Sequence, residues 1–282
     1  MRITNPGIPI FIFYDHLTEN QKKSLSGCNA IRIKPEFTNA LFRKREKLTD
    51  AIFFKFYLEM INGIDKVLFL DSDMVILEPL DGIFKLEGKI IARGVDVNLA
   101  HEFKDVEKVK KNEKIREGDL LLNAGVVCFD RKFWVRERIT EKVGEIVNMY
   151  GMDNFSNPEQ GILNILAYRY GGFTNISKLY NYTCWFDMLG DGRHNVRRNP
   201  LGIKAPYIGN NFAKILHWNV PIKPWHFIEL VNLSPKRKGY YYECYQQFVG
   251  LQTLLWLFID FVGIGWRKIK RFFYGFVKVV CF

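Results

Sequence analysis

Two carboxylates stand one residue apart in Asp71-Ser-Asp73, directly after the apolar run of residues 67–70. A buried strand that ends in paired acids turns both toward the space beyond it, and paired carboxylate oxygens suit a hard divalent cation such as Mg²⁺ or Mn²⁺. His217, after the short apolar strand 214–216, offers an imidazole as a third candidate ligand. Six residues later Lys223, in Lys-Pro-Trp225, can meet a phosphate as a point charge.

Such groups need elements that bring them together. Residues 8–14 read as a buried strand, and Thr18-Glu-Asn-Gln21 as a capping box opening a helix to about Ser26. A short strand at 30–33 is followed by a helix over 49–61 and by the strongest strand, 66–71. Residues 89–95 form another strand, 97–118 a charged loop or helix-loop, and 120–129 a strand interrupted by Asn123-Ala-Gly125. A helix over 134–150 carries Ile139, Val143, Ile146, Val147 and Tyr150 at a 3.6-residue period. Pro158 opens a further helix at a first-turn position, and 199–211 reads as surface loop. Apolar strands separated by helices predict an α/β fold of Rossmann type, with a mainly parallel sheet covered by helices on both faces. Ligands of such sheets bind beyond the carboxyl ends of the strands, where Asp71 falls.

With 48% hydrophobic and 15% aromatic residues, the 282-residue chain excludes intrinsic disorder. Residues 236–282 carry +6 of the formal net charge of +11, which points to an anionic partner. Among residues 267–280, Ile269, Phe272, Phe273, Phe276, Val279 and Val280 share one helical arc, opposite Arg267, Lys268, Lys270, Arg271 and Lys278. This is the pattern of an amphipathic helix in an anionic membrane interface, although a terminal helix packed on the domain has the same pattern. The reading divides the chain into a catalytic-type domain at 1–235 and a membrane-associating tail at 236–282. The basic charge comes with no nucleic-acid recognition module. Five dispersed cysteines without a C-x-x-C pair fit a reducing compartment, so a cytoplasmic location on the inner face of a membrane is expected.

In order and approximate spacing, Phe69-Leu-Asp-Ser-Asp73, Asn123-Ala-Gly-Val126, Glu159-Gln-Gly-Ile-Leu-Asn164 and His217 to Trp225 resemble the motifs of the family 8 retaining glycosyltransferases. This family includes glycogenin and the bacterial lipopolysaccharide galactosyl- and glucosyltransferases. The resemblance runs from about Ile8 to Trp225 and implies a GT-A-like fold. It implies that Asp71, Asp73 and His217 hold Mn²⁺, or Mg²⁺, on the diphosphate of a nucleotide-sugar donor. It further implies that Lys55 lies near the donor, that Asn123, Ala124 and Gly125 line the donor sugar, and that Lys223 contacts diphosphate. Gln160 matches the residue on the face where a retaining nucleophile would stand, with Asp96 and Glu159 as acids near the transferred sugar. The acceptor implied is a glycan or glycolipid such as lipopolysaccharide.

Three departures accompany the resemblance. Glu159 replaces the usual aspartate, and Val220 the glycine three residues after the histidine. Residues 8–25 match the family's second strand and helix, so its first strand is expected to be missing. A catalytically degenerate membrane-bound relative is the competing reading. A haloacid dehalogenase-like phosphatase is the rival enzyme, from Asp71-Ser-Asp-Met-Val75 and Gly190-Asp-Gly-Arg-His-Asn195.

Overall fold

A computed structural model describes residues 4–25, 27–34, 50–183, 195–219 and 278–281. In chain order the strands are β1 (Ile10–Tyr14), β2 (Asn29–Arg32), β3 (Lys66–Leu70), β4 (Met74–Ile76), β5 (Ile90–Val95), β6 (Leu121–Asp130) and β7 (Thr174–Asn175). They continue with β8 (Tyr182–Thr183), β9 (Asn195–Arg198), β10 (Lys204–Ile208), β11 (Asn211–Phe212), β12 (Ile215–His217) and β13 (Lys278–Cys281). The α-helices are α1 (Glu19–Ser24), α2 (Asp81–Phe84), α3 (Val106–Asn112), α4 (Arg131–Arg136), α5 (Ile139–Tyr150) and α6 (Pro158–Arg169). The described residues fall into two compact units. The larger takes those within Ile8–Ser72, Asp81–Ile176 and Gly275–Phe282; the smaller takes those within Met1–Gly7, Asp73–Leu80 and Ser177–Tyr274.

The larger unit is built on a seven-stranded sheet in the order β2-β1-β13-β3-β6-β5-β7. The β1/β2 and β5/β7 pairs are parallel, whereas β13 runs antiparallel to β1 and β3, and β6 antiparallel to β3 and β5. The sheet is therefore mixed, not mainly parallel as its apolar runs predict. Those runs report burial on both faces, which is the same for either strand direction. Direction is set by connectivity: residues 96–120 carry the chain from the end of β5 back into its neighbour β6. The helical reading of the last stretch stops short of Lys278–Cys281, which pairs as β13. Two adjacent valines, Val279 and Val280, favour that extended conformation. Residues 236–277, the remainder of the expected tail, lie outside the described residues.

Aromatic packing reshapes the expected helices of this unit. Residues 49–61 supply two 3₁₀ turns, Asp50–Phe56 and Leu58–Met60, in place of one α-helix. The Phe56 carbonyl accepts from the Trp134 indole N–H (3.1 Å) and the Thr140 hydroxyl (2.6 Å), so tertiary donors take the place of a next helical turn. Trp134 meets Phe129 edge-on at 4.8 Å. The helix expected over 134–150 divides at Arg138, whose φ of 52° is left-handed. All five periodic apolar residues of α5 are buried. The capping box forms as read, with Thr18 N–H donating to Gln21 Oε1 (2.8 Å) and Gln21 N–H to Thr18 Oγ1 (3.3 Å).

In the smaller unit, one three-stranded sheet has the order β4-β12-β8 and another the order β11-β10-β9. Residues 199–211, expected as loop, hold β10 and enter β11. Asn199 is buried and anchors the turn before them: its side chain donates to Leu77 O (2.7 Å) and accepts from Ile203 N–H (2.8 Å). Tyr182, Leu216 and Trp218 centre this unit's apolar cluster. Among the described residues, no helix is long and apolar enough to cross a membrane.

Candidate active site

Asp73 and His217 meet in the smaller unit because of strand register. β4 and β12 are antiparallel with Met74 opposite His217, so Asp73, one residue ahead of Met74, lies beside the end of β12. Trp218 N–H extends the ladder by donating to Asp73 O at 2.8 Å. The result places Asp73 Oδ1 3.4 Å from His217 Nε2, with the histidine only 3% exposed. On the far side of the ring, Nδ1 is 2.9 Å from Asn181 Oδ1. An amide oxygen only accepts, so Nδ1 carries the hydrogen and Nε2 is left to face the carboxylate. A divalent cation between the Nε2 lone pair and the carboxylate oxygen would bind to both. This oxygen and nitrogen donor set fits Mn²⁺ or Mg²⁺.

In the larger unit Asp71 follows β3 at its carboxyl end, and its N–H donates to Gly125 O at 2.9 Å. It is joined to Asp73 through Ser72.

The β6 segment near Gly125 is opened on one side. Pairing with β5 jumps from Ala92/Val127 to Gly94/Leu122, which leaves 123–126 out of that ladder. Side chains take over its backbone groups. Gln160 Oε1 accepts from Ala124 N–H at 3.1 Å and from Asn123 Nδ2 at 3.5 Å, while Asn123 Oδ1 accepts from Gly125 N–H at 3.1 Å. Asn164, one helical turn after Gln160, accepts from Leu122 N–H at 2.8 Å. Lys55 is wholly buried, donating to Ala124 O at 2.9 Å and lying 4.7 Å from the centre of the Phe69 ring. Its ammonium therefore faces the backbone that carries Asn123, Ala124 and Gly125.

The larger unit thus connects Lys55, Asn123, Ala124, Gly125 and Gln160 by hydrogen bonds. Glu159 is half-buried in the first turn of α6, and Asp96 is exposed just past β5. Lys223 lies outside the described residues. Three further polar residues, Asn164, Glu102 and Asn181, support these groups. Asn164 lies within the motif at 159–164, and its four-residue spacing from Gln160 puts the two on one helix face. Glu102 sits in the stretch read as charged loop, and Asn181 in an unremarkable turn. Glu102 is 2% exposed and accepts from Gln160 Nε2 at 2.7 Å; burial pushes its carboxyl up to about 7.

Solved structures share this fold. An active-site mutant of LgtC aligns with a TM-score of 0.60 at 20% identity, over 81% of each chain. The galactosyltransferase LgtC in complex with donor and acceptor sugar analogs aligns at 0.55 and 22% identity, over 77% of this chain and 78% of that one. The fold is α/β and GT-A-like. Residues 6–229 match the model of Glycosyl transferase family 8, and the chain belongs to that family. That assignment displaces the phosphatase reading of Asp71-Ser-Asp-Met-Val75. Lipopolysaccharide 1,2-glucosyltransferase of Escherichia coli K12 is 25% identical over 186 residues, 62% of this chain and 49% of its own length. Glycosyltransferase GlyA of Streptococcus pneumoniae serotype 4 is 22% identical over 181 residues, 64% of this chain and 22% of its own. The chain thus spans less than half the length of either relative.

Proposed function

We propose that the chain is a metal-dependent, retaining hexosyltransferase that moves galactose or glucose from a nucleoside-diphosphate sugar, UDP-linked, to a glycan or glycolipid acceptor such as lipopolysaccharide. The observation that carries the reading is the approach of His217 Nε2 to Asp73 Oδ1 at 3.4 Å, with Nδ1 already committed to Asn181. Asp71, two residues ahead of Asp73 in the chain, completes the ligand set. When bound there, the cation supplies positive charge against the diphosphate as it leaves. Lys223 adds a point charge to the same oxygens. Asn123, Ala124 and Gly125 line the sugar, with Asp96 and Glu159 near it.

Gln160 defines the face of attack. A neutral carboxamide is a poor nucleophile, so its oxygen is better used to stabilise a cation-like anomeric carbon while the acceptor hydroxyl enters on the face the diphosphate leaves. The name of the E. coli relative supports a lipopolysaccharide-type acceptor. The basic, aromatic tail supports placement on the inner face of a membrane, where such acceptors are made. The test is a screen of nucleotide sugars for Mn²⁺-dependent transfer, with the anomeric proton coupling of the product as readout. An α-linked donor is expected to give an α-linked product. A β-linked product, or turnover indifferent to a chelator, refutes the reading.

A further inference from the structure

Glu102 lies behind Gln160 at the close of the 3₁₀ turn Leu99–His101. A buried carboxyl is costly unless its partners compensate. Oε2 has one strong partner, Gln160 Nε2 at 2.7 Å; Oε1 is buried without a hydrogen bond of good geometry. The other groups acting on it are Asn157 and Glu159, from the N-terminus of α6. Of these only Glu159 carries charge, and it too is an acid. Packing alone would be better served by an apolar residue, so the acid needs another account.

The account lies in the two ends of a carboxamide. Oxygen and amino group are nearly isosteric, and the hydrogen-bond partners decide which way the group turns. An ionised carboxylate only accepts, so it selects the Gln160 amino group. Ala124 N–H only donates, so it selects the oxygen, at 3.1 Å. We infer that Glu102 is a positioning residue for transfer, fixing the Gln160 carboxamide with its oxygen on the opened segment of β6. The inference rests on the transferase reading of Gln160.

Ionisation controls the selection. Burial pushes the Glu102 carboxyl up to about 7, with Gln160 and Asn157 opposing and Glu159 reinforcing. Once protonated, the carboxyl donates as well as accepts, and that end tolerates either face of the carboxamide.

The experiment compares the full-length wild type, Glu102→Gln and Glu102→Leu from pH 5.5 to 8.5. Transfer kinetics and the Gln160 side-chain amide resonance, assigned by its loss in Gln160→Met, are both recorded. Wild-type kcat is expected to fall on the acid side around 7, and the amide signal to move over the same range. Glu102→Gln donates as well as accepts, like the protonated carboxyl, so its kcat at pH 8 should lie near the acid-side level of the wild type and show no acid limb. Glu102→Leu should lose about 10- to 100-fold in kcat with donor KM little changed. A folded Glu102→Leu with wild-type kcat, or an acid limb that persists in Glu102→Gln, overturns the inference. A Gln160 amide that does not respond to pH in the wild type overturns it as well. A wild type that transfers no sugar while its Gln160 amide titrates sinks the transferase reading, and the positioning role falls with it although the contact stands.

Discussion

His217 Nδ1 stands 2.9 Å from Asn181 Oδ1, which fixes the ring so that Nε2 faces Asp73. Partners behind a ligand histidine commonly set its tautomer and raise metal affinity about 10- to 100-fold. Asn181→Val removes the acceptor and should weaken Mn²⁺ binding by that factor, whereas Asn181→Asp retains an acceptor and should bind within a few-fold of wild type. Calorimetric titration with Mn²⁺ alone measures both. Equal affinity in all three proteins would show that the ring orientation is irrelevant to the ion.

Asp73 contributes an anionic oxygen as well as a position. Asp73→Asn keeps the shape and removes the charge, so Mn²⁺ affinity and nucleoside diphosphate release should fall together by about 100-fold or more. Loss of one without the other would separate the carboxylate from the ion. The same assay with excess chelator should reduce the wild type to the level of the variant.

Glu102 also links pH to stability. Its carboxyl sits at about 7 when folded, against a usual value of 4.5, so the folded chain binds this proton more tightly than the unfolded chain. The resulting stabilisation is complete below the unfolded value and is lost as pH rises through the folded one. From this group alone the loss amounts to about 3 kcal/mol at most, at 1.36 kcal/mol per pKa unit. Urea denaturation at pH 5 and pH 8 should show the wild type losing more stability than Glu102→Gln. Identical losses would mean that Glu102 titrates normally.

Legibility from sequence followed the range of the interactions. Apolar runs and capping residues are local, so β1, β3, β5, β6, α1 and the buried face of α5 could be read directly. Strand direction is not local, and a run such as β3 looks the same whether its neighbour is parallel or antiparallel. The metal candidates could be read because Asp71 and Asp73 share one strand end and His217 ends another. Asn181 and Glu102 could not: each acts by touching one residue that folding brings to it. The 3₁₀ turns at 50–60 escaped for a related reason, since donors from Trp134 and Thr140 occupy the Phe56 carbonyl.

The tail yields a prediction that leaves the β13 strand intact. Replacing Arg267, Lys268, Lys270 and Arg271 together with serine removes about 1 kcal/mol of surface attraction per residue. Sedimentation with vesicles containing phosphatidylserine should drop by about two orders of magnitude or more in apparent affinity, and binding to neutral vesicles should change little. Undiminished binding to the anionic vesicles would place the membrane contact elsewhere.

Gly161, next to Gln160, is required by space and not by backbone conformation. A Cβ built there would lie 2.5 Å from Phe155 Cδ1 and 3.2 Å from Glu102 Oε1. The Phe155 ring cannot yield cheaply, because it is fully buried and meets Phe103 at 6.1 Å and Tyr150 at 6.3 Å, both edge-on. In an open helix, Gly→Ala would stabilise by up to about 1 kcal/mol. Here overpacking costs about 1–3 kcal/mol, so the net effect of Gly161→Ala should be destabilising by about 1–2 kcal/mol in urea. The displacement also presses on Glu102, so kcat should fall beyond what the stability loss explains, with the Gln160 amide resonance shifted. A Gly161→Ala protein more stable than wild type would mean that the ring has room to move. One that is less stable but keeps full kcat would mean that Glu102 absorbs the methyl group without disturbing Gln160.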